Sequence, residues 1–241
     1  MFQTSAILLN FLQLSATFRN FLQLPATMAD AFENMDRMYR HQRYFYDLTR
    51  KYYLLGRDRL LSEMDVRAGE NVLEVGCGTG RNLIILAKRF PGANFFGLDA
   101  SAEMLRTARA KTDAQKRKNI TFETALADTF NYRETFGLAA PFDTIFFSYS
   151  ISMIPVWRES IQNALANLKS GRSLYIVDFY DQKDLPRWFR KILKGWLKKF
   201  HVQFWGDLMP YLENLEKQGV GELKINSIAR RYAFIAQFRK N

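Results

Sequence analysis

The chain has one cysteine, two histidines and six prolines among its 241 residues. With Cys77 alone, no disulfide can form within the chain, and a reducing compartment suits it. Two histidines and one cysteine, far apart in sequence, give no zinc-ligand spacing, so no metal site is expected. No run of about 20 apolar residues is present, so nothing reads as a membrane span. Acids are also scarce, 24 against 35 lysines and arginines, for a net charge of +11. That excess points to an anionic partner, either nucleic acid or an acidic membrane surface. The length and the 48% hydrophobic content fit one globular domain rather than two, or a disordered chain.

The first 27 residues stand apart. Asn10-Phe-Leu-Gln-Leu-Ser-Ala-Thr17 recurs as Asn20-Phe-Leu-Gln-Leu-Pro-Ala-Thr27, with Arg19 the only charge. A secretory signal needs a basic segment before its apolar core, and none is present. Residues 1–27 therefore read as a leader outside the fold, with Met28 as the functional start.

The most informative stretch is Val72-Leu-Glu-Val-Gly-Cys-Gly-Thr-Gly-Arg-Asn82, followed by Phe95-Phe-Gly-Leu-Asp99. An apolar strand runs into glycines at 76, 78 and 80 and then into a helical pattern. A second strand ends in Asp99, nineteen residues after the last glycine. Strand, glycine turn, helix, strand and terminal acid make a nucleotide site in which the acid takes the ribose hydroxyls. The spacing is G-x-G-x-G; a dinucleotide loop would place its third glycine at position 81, which is Arg81. E-x-G-x-G-x-G resembles the first motif of class I S-adenosylmethionine-dependent methyltransferases.

Strands are predicted over Asn71–Val75, Asn94–Leu98, Ile120–Thr124, Thr144–Phe147 and Ser173–Phe179. Helical patterns lie between them at Arg81–Phe90, Ala102–Thr112 and Arg158–Leu168, and Leu223–Ser227 and Tyr232–Phe238 read as closing strands. The expected fold is α/β: a Rossmann-like, doubly wound, mostly parallel seven-stranded sheet with an N-terminal helical segment and a C-terminal antiparallel hairpin. The single domain, 28–241, divides into a helical cap (28–68), a cofactor-binding core (69–180), a basic amphipathic insertion on the acceptor side (181–221) and the closing strands (222–241).

The resemblance implies S-adenosyl-L-methionine as cofactor and roles for particular residues. Gly76, Gly78 and Gly80 would face its methionine part, with Glu74 steadying the loop or the amino group. Asp99 would accept the ribose hydroxyls, Ala100 and Met104 would border ribose and adenine, and Asp128, beside Thr129, would receive the adenine amine. On the residues alone, Asp99 and Asp128 could instead cap helices. After the fourth strand stands Ser148-Tyr149-Ser150, without the Asn/Asp-Pro-Pro-Tyr/Phe signature of enzymes that methylate planar nitrogens. A tetrahedral amine, which needs positioning more than activation, suits this site. Tyr149, with some of Tyr39, Tyr46 and Tyr53, is the candidate for contact with the cationic product, and Ser148 stands beside the cofactor.

From Leu185 to Phe200, Leu185, Trp188, Phe189, Ile192, Leu193, Trp196, Leu197 and Phe200 keep helical spacing. Arg187, Arg190, Lys191, Lys194, Lys198 and Lys199 fill the other face. This is the pattern of an interfacial membrane helix, though a domain helix or a nucleic-acid surface could share it. Trp188, Lys191, Lys194, Trp196, Lys198 and Lys199 are therefore assigned to the membrane and substrate side.

Tyr46-Asp-Leu-Thr-Arg-Lys-Tyr-Tyr-Leu-Leu-Gly-Arg-Asp-Arg-Leu60 and Ser148-Tyr-Ser-Ile-Ser-Met-Ile-Pro155 are similar to the diacylglyceryl-homoserine N-methyltransferases of betaine-lipid synthesis. That resemblance, over roughly residues 30–240, implies three successive methylations of a lipid amine, with Tyr46, Tyr53 and Arg57 bordering the methionine end of the cofactor. It also implies a peripheral cytoplasmic enzyme on the inner face of an anionic membrane, with an enzyme that supplies the unmethylated lipid as a candidate partner. The alternatives are a phosphatidylethanolamine N-methyltransferase, an RNA methyltransferase and a non-catalytic lipid-surface binding module.

Overall fold

The computed structural model describes residues 54–198 and 202–241. The leader, Tyr39, Tyr46, Tyr53 and Lys199 lie outside the described residues. Fourteen elements follow in chain order: α1 (Arg57–Glu63), β1 (Asn71–Val75), α2 (Arg81–Arg89), β2 (Asn94–Asp99), α3 (Ala102–Ala114), β3 (Ile120–Thr124), β4 (Phe142–Ser148), a 3-10 turn (Ile151–Met153), α4 (Trp157–Ala166), β5 (Leu168–Phe179), α5 (Arg187–Lys198), α6 (Leu208–Lys217), β6 (Gly221–Ile228) and β7 (Ala233–Lys240).

The seven strands form one sheet in the order β3-β2-β1-β4-β5-β7-β6. The first five are parallel, and β7 runs antiparallel to both β5 and β6. This is the predicted architecture. Central β4 is buried along its whole length, as expected where helices cover both faces, whereas edge strand β6 alternates. Helices α2 and α3 follow the leftward crossovers and pack on one face, through Leu83, Leu86, Leu105 and Ala108. Helix α4 follows the rightward crossover and packs on the other, through Trp157, Ile161 and Leu165. Right-handed crossovers require this change of face when the winding direction reverses. The reversal falls between β1 and β4, where Val75 pairs with Phe147, and a ligand crevice is expected at their carboxyl ends.

Two differences from the sequence reading matter for the site. Segment 181–221 contains a second helix, α6, that the sequence reading omits. Helix α5 packs on the α2 face and α6 on the α4 face, so the segment straddles the carboxyl edge of the sheet. The chain between them is pinned there: Gln203 donates its backbone N–H to the Ser152 carbonyl (2.8 Å) and Trp205 Nε1 to the Ile151 carbonyl (3.0 Å). At the β6–β7 hairpin, Ala229, Arg230 and Arg231 all have positive φ. Three successive left-handed non-glycine residues cost about 1–3 kcal/mol each, so the surroundings must hold them. Arg231 does so through two side-chain hydrogen bonds to Asp181, while its guanidinium lies 4.2 Å from the Tyr180 ring centroid. At the opposite edge, Arg172 and Lys169 pair with Asp143, and Arg172 also with Glu70. Burial pushes the Asp143 pKa up, but the Asn71 N–H, Lys169 and Arg172 outweigh it and hold it below the usual value.

Candidate active site

The glycine loop leaves β1 and folds over the end of β2, where Gly76 and Cys77 both donate to the Leu98 carbonyl. Its three glycines serve different ends. A Cβ on Gly76 would stand 2.5 Å from Cβ of Ser150, and one on Gly80 would stand 2.9 Å from Phe122. These two admit close packing by the β4 loop and by β3. Gly78 is different: at φ +55° no described residue lies within 4 Å of its added Cβ. Gly76 and Gly80 therefore have a packing duty besides any contact with the cofactor, and Gly78 does not.

Asp99 ties the loop to the next helix. One carboxylate oxygen accepts the Gly78 N–H (2.7 Å) and the other the Ser101 N–H (2.9 Å). Ser101, not Asp99, caps α3, accepting the Met104 N–H on its hydroxyl. These two bonds fix the orientation of the Asp99 carboxylate at the end of β2. Buried Glu74 accepts from Asn82 Nδ2 at 2.6 Å and so braces β1 against α2. Ala100 is half-buried and Met104 buried beside them. Asp128 is half-buried in a turn with no helix after it, so helix capping is excluded, and Thr129 beside it is exposed. Cys77 is buried in the loop, and burial, then Asp99 and Glu74, raise its pKa well above the ordinary thiol value. It stays a neutral thiol and a poor nucleophile.

At the end of β4 the Ser148 hydroxyl is buried without a hydrogen-bond partner, and Ser150 donates to the Val75 carbonyl at 2.8 Å. Tyr149 departs from its expected role. It has φ +57°, is only 3% exposed, and donates its hydroxyl to the Leu55 carbonyl at 2.5 Å. Its ring packs edge-on against Phe179. The side chain is a strut joining the segment before α1 to the top of the sheet, and it does not line the neighbouring cleft. Arg57, at the start of α1, is buried, with Nε 3.9 Å from Asp58.

That cleft, about 610 Å³, lies over the ends of β4 and β5. The 3-10 turn, Asp178–Asp181, Arg190 and Lys194 of α5 and the start of α6 form its walls. Helix α5 also corrects a prediction. Phe189, Leu193, Trp196 and Leu197 are buried in the domain core, and only Trp188 (56% exposed) and Ile192 (47%) face outward among the large apolar residues. Trp196, at 9%, is core and not membrane-facing. Lys191 is exposed beside Trp188 and Ile192; Lys194 stands at the cleft rim, its ammonium 5.1 Å from the Phe204 ring. Lys198 closes the described part of the helix. Ser152 and the Asp181–Arg231 pair escape the sequence reading, which places Arg190 on the polar face of the helix but not at the cleft; the one available hint is that Arg190 and Lys194 sit four residues apart on α5.

A family model described as a methyltransferase domain matches residues 67–219, well over half of the chain. The chain belongs to that methyltransferase family. Its fold is that of class I S-adenosylmethionine-dependent methyltransferases, and S-adenosyl-L-methionine is the cofactor. Trans-aconitate 2-methyltransferase of Rhodopseudomonas palustris is 29% identical over 53% of this chain and 45% of its own length. Demethylmenaquinone methyltransferase of Shouchella clausii is 26% identical over 60% of this chain and 64% of its own. The chain spans about half the length of the curated relatives it matches. Phosphoethanolamine N-methyltransferase 2 of Haemonchus contortus, solved with S-adenosyl-L-methionine, shares the fold at a TM-score of 0.60 and 16% identity, over 76% of this chain and 51% of that one. The site of this methyltransferase fits the cofactor: Gly78 opens on space, Asp99 is oriented by two amides, and the buried Ser148 hydroxyl has no protein partner. Among the described residues no group of three or more His, Cys, Asp or Glu could hold a metal, and no helix is long and apolar enough to cross a membrane.

Proposed function

We propose that this protein transfers a methyl group from S-adenosyl-L-methionine to the amine headgroup of a membrane lipid. The proposed acceptor is diacylglyceryl-homoserine, methylated in successive rounds to the trimethylated betaine lipid. One observation carries the lipid assignment: α5 forms a cleft wall with Arg190 and Lys194 while exposing Trp188 and Ile192 among Arg187 and Lys191 on its outer side. A helix so divided can rest on an anionic bilayer and hold a headgroup at the same time. Each basic residue near such a surface contributes about 1 kcal/mol, and each large apolar side chain it buries about 1.5–3 kcal/mol.

The cofactor supplies a methyl group on a sulfonium, open to in-line displacement. The chain supplies orientation. Asp99 would hold the nucleoside end and Gly78 would border the methionine part, the Glu74–Asn82 bond keeps the loop rigid, and the Tyr149–Leu55 strut fixes the β4 end beside the cleft. Both acids in the cleft wall are engaged. Asp178 accepts from the Ser152 and Phe179 amides, and Arg231 holds the Asp181 pKa down to about 2. Asp181, held so low, is a weak base near neutral pH and both Asp178 oxygens are taken up by amides, so in this reading the acceptor amine loses its proton to water before it attacks. Phe179 and Trp205 line the cleft as aromatic partners for the ammonium product, whereas Tyr180 and Phe204 already carry Arg231 and Lys194.

A second reading draws on the same cations: a small carboxylic acid as acceptor, in line with the name of the trans-aconitate 2-methyltransferase relatives. The test is transfer of radiolabelled methyl into diacylglyceryl-homoserine and phosphatidylethanolamine in mixed micelles, and into free trans-aconitate in buffer. Label in the betaine lipid, lowered at least tenfold in Trp188→Ala/Ile192→Ala, supports the proposal. Label in phosphatidylethanolamine alone replaces the headgroup, and label in trans-aconitate alone replaces the lipid.

A further inference from the structure

We infer that Arg190, Lys194 and the Ser152 hydroxyl form an oxyanion subsite that holds a carboxylate or phosphate of the acceptor; its place beside the reacting amine rests on the reading above. The charge balance of the cleft leads there. Four cations line it: Lys183, Arg190, Lys194 and Arg231. Asp181 takes Arg231 through two hydrogen bonds and has Lys183 Nζ at 3.3 Å. The two oxygens of Asp178 accept backbone N–H groups. Among the described residues, no carboxylate stands within 4.0 Å of Arg190 or Lys194. They lie four residues apart on α5 and so share one side of the helix, where like charges repel. An anion between them turns that repulsion into attraction, and the guanidinium fork matches two oxygens of a carboxylate or phosphate.

A second observation is independent of charge. Ser152 lines the same cleft, is buried, and its hydroxyl has no hydrogen-bond partner. Its backbone is fixed on both sides, with the N–H given to Asp178 and the carbonyl taken by Gln203. An orphaned buried hydroxyl is unfavourable in the empty protein, and an oxyanion accepting its proton satisfies it.

The test is calorimetric titration of the S-adenosylhomocysteine-loaded protein with citrate and, separately, with inorganic phosphate. The expected result is saturable binding of at least one, weakened tenfold or more in Arg190→Gln/Lys194→Gln, with S-adenosylhomocysteine affinity within twofold. Which anion binds identifies a carboxylate or a phosphate acceptor. Arg187→Gln/Lys191→Gln removes equal charge from the outer side of α5 and should leave anion binding within twofold. Ser152→Ala should weaken it at least threefold, and it decides the matter if the double variant does not fold. Absence of binding by both anions, equal loss in the outer-side control, or unchanged affinity in Ser152→Ala overturns the subsite. The subsite stands and the lipid reading falls if anion binding behaves as expected while no lipid amine accepts label.

Discussion

Alanine substituted at Gly76 and at Gly78 should separate packing from ligand contact within one loop. Both residues have positive φ, +73° and +55°, so an alanine pays about 1–2 kcal/mol for the left-handed backbone at either position. At Gly76 the new methyl would also stand 2.5 Å from Ser150 Cβ, and overpacking of this kind adds about 1–3 kcal/mol. Reduced freedom of the unfolded chain returns about 0.4–1 kcal/mol in both. Gly76→Ala should therefore cost roughly 2–4 kcal/mol and Gly78→Ala roughly 1 kcal/mol. At about 2–4 °C per kcal/mol for a domain of this size, melting temperatures should fall by about 4–16 °C and about 2–4 °C respectively. The order reverses for the ligand: Gly78→Ala, whose methyl projects into open space at the loop, should weaken S-adenosylhomocysteine at least tenfold. Denaturant unfolding and calorimetry read the two effects separately. In the pair Gly76→Ala/Ser150→Gly the clash disappears, and a coupling of about 1–3 kcal/mol is expected although the Ser150–Val75 hydrogen bond is lost. Equal destabilisation by the two alanines, with no coupling to Ser150, would refute the division of roles.

Asp99→Ala should abolish measurable S-adenosylhomocysteine binding while the protein keeps a cooperative melt; unchanged affinity would remove this acid from the cofactor site. Tyr149→Phe deletes the donor to the Leu55 carbonyl and should cost about 1 kcal/mol of stability with methyl transfer within a few-fold of wild type, whereas a hundredfold loss of kcat at unchanged stability would make the hydroxyl catalytic. Asp181 has a folded pKa of about 2 against an ordinary 3.8, so its contribution is complete above about pH 4 and is lost as pH falls towards 2. Asp181→Asn should flatten that part of the acid stability profile, and a profile identical to wild type would show that the Arg231 pair contributes nothing.

The fold was legible because its signals are local. Val72, Leu73 and Val75, and Ile145–Phe147, put apolar side chains on both faces, which marks central parallel strands, and β1 and β3 have the predicted ends. Helix α6 was missed because Pro210 sits in its first turn, where proline is tolerated but reads as a break. In the site, the glycine spacing was legible but the duty of each glycine was not. Gly76 answers to Ser150 and Gly80 to Phe122, residues distant in sequence that only the sheet brings near. The amphipathic pattern of α5 likewise identified a stripe without its neighbours. Spacing groups Trp188 with Trp196, yet the domain covers Trp196 and leaves Trp188 outside. The Asp181–Arg231 pair spans fifty positions, and no periodicity announces such a partner.

The strand order carries a consequence for synthesis. β6 precedes β7 in the chain, yet β7 lies between β5 and β6. A nascent chain that has made β6 therefore has nowhere to put it, and β5 remains an open edge of unpaired amides and carbonyls until β7 arrives. The cofactor strands β1, β2 and β4 have all their neighbours once β5 is complete, so the nucleotide half of the protein can form on the ribosome well ahead of the acceptor half. Over that interval the parallel half-sheet is vulnerable to pairing with another nascent chain, and a ligand able to bind it early would act as a folding aid before it acts as a reactant.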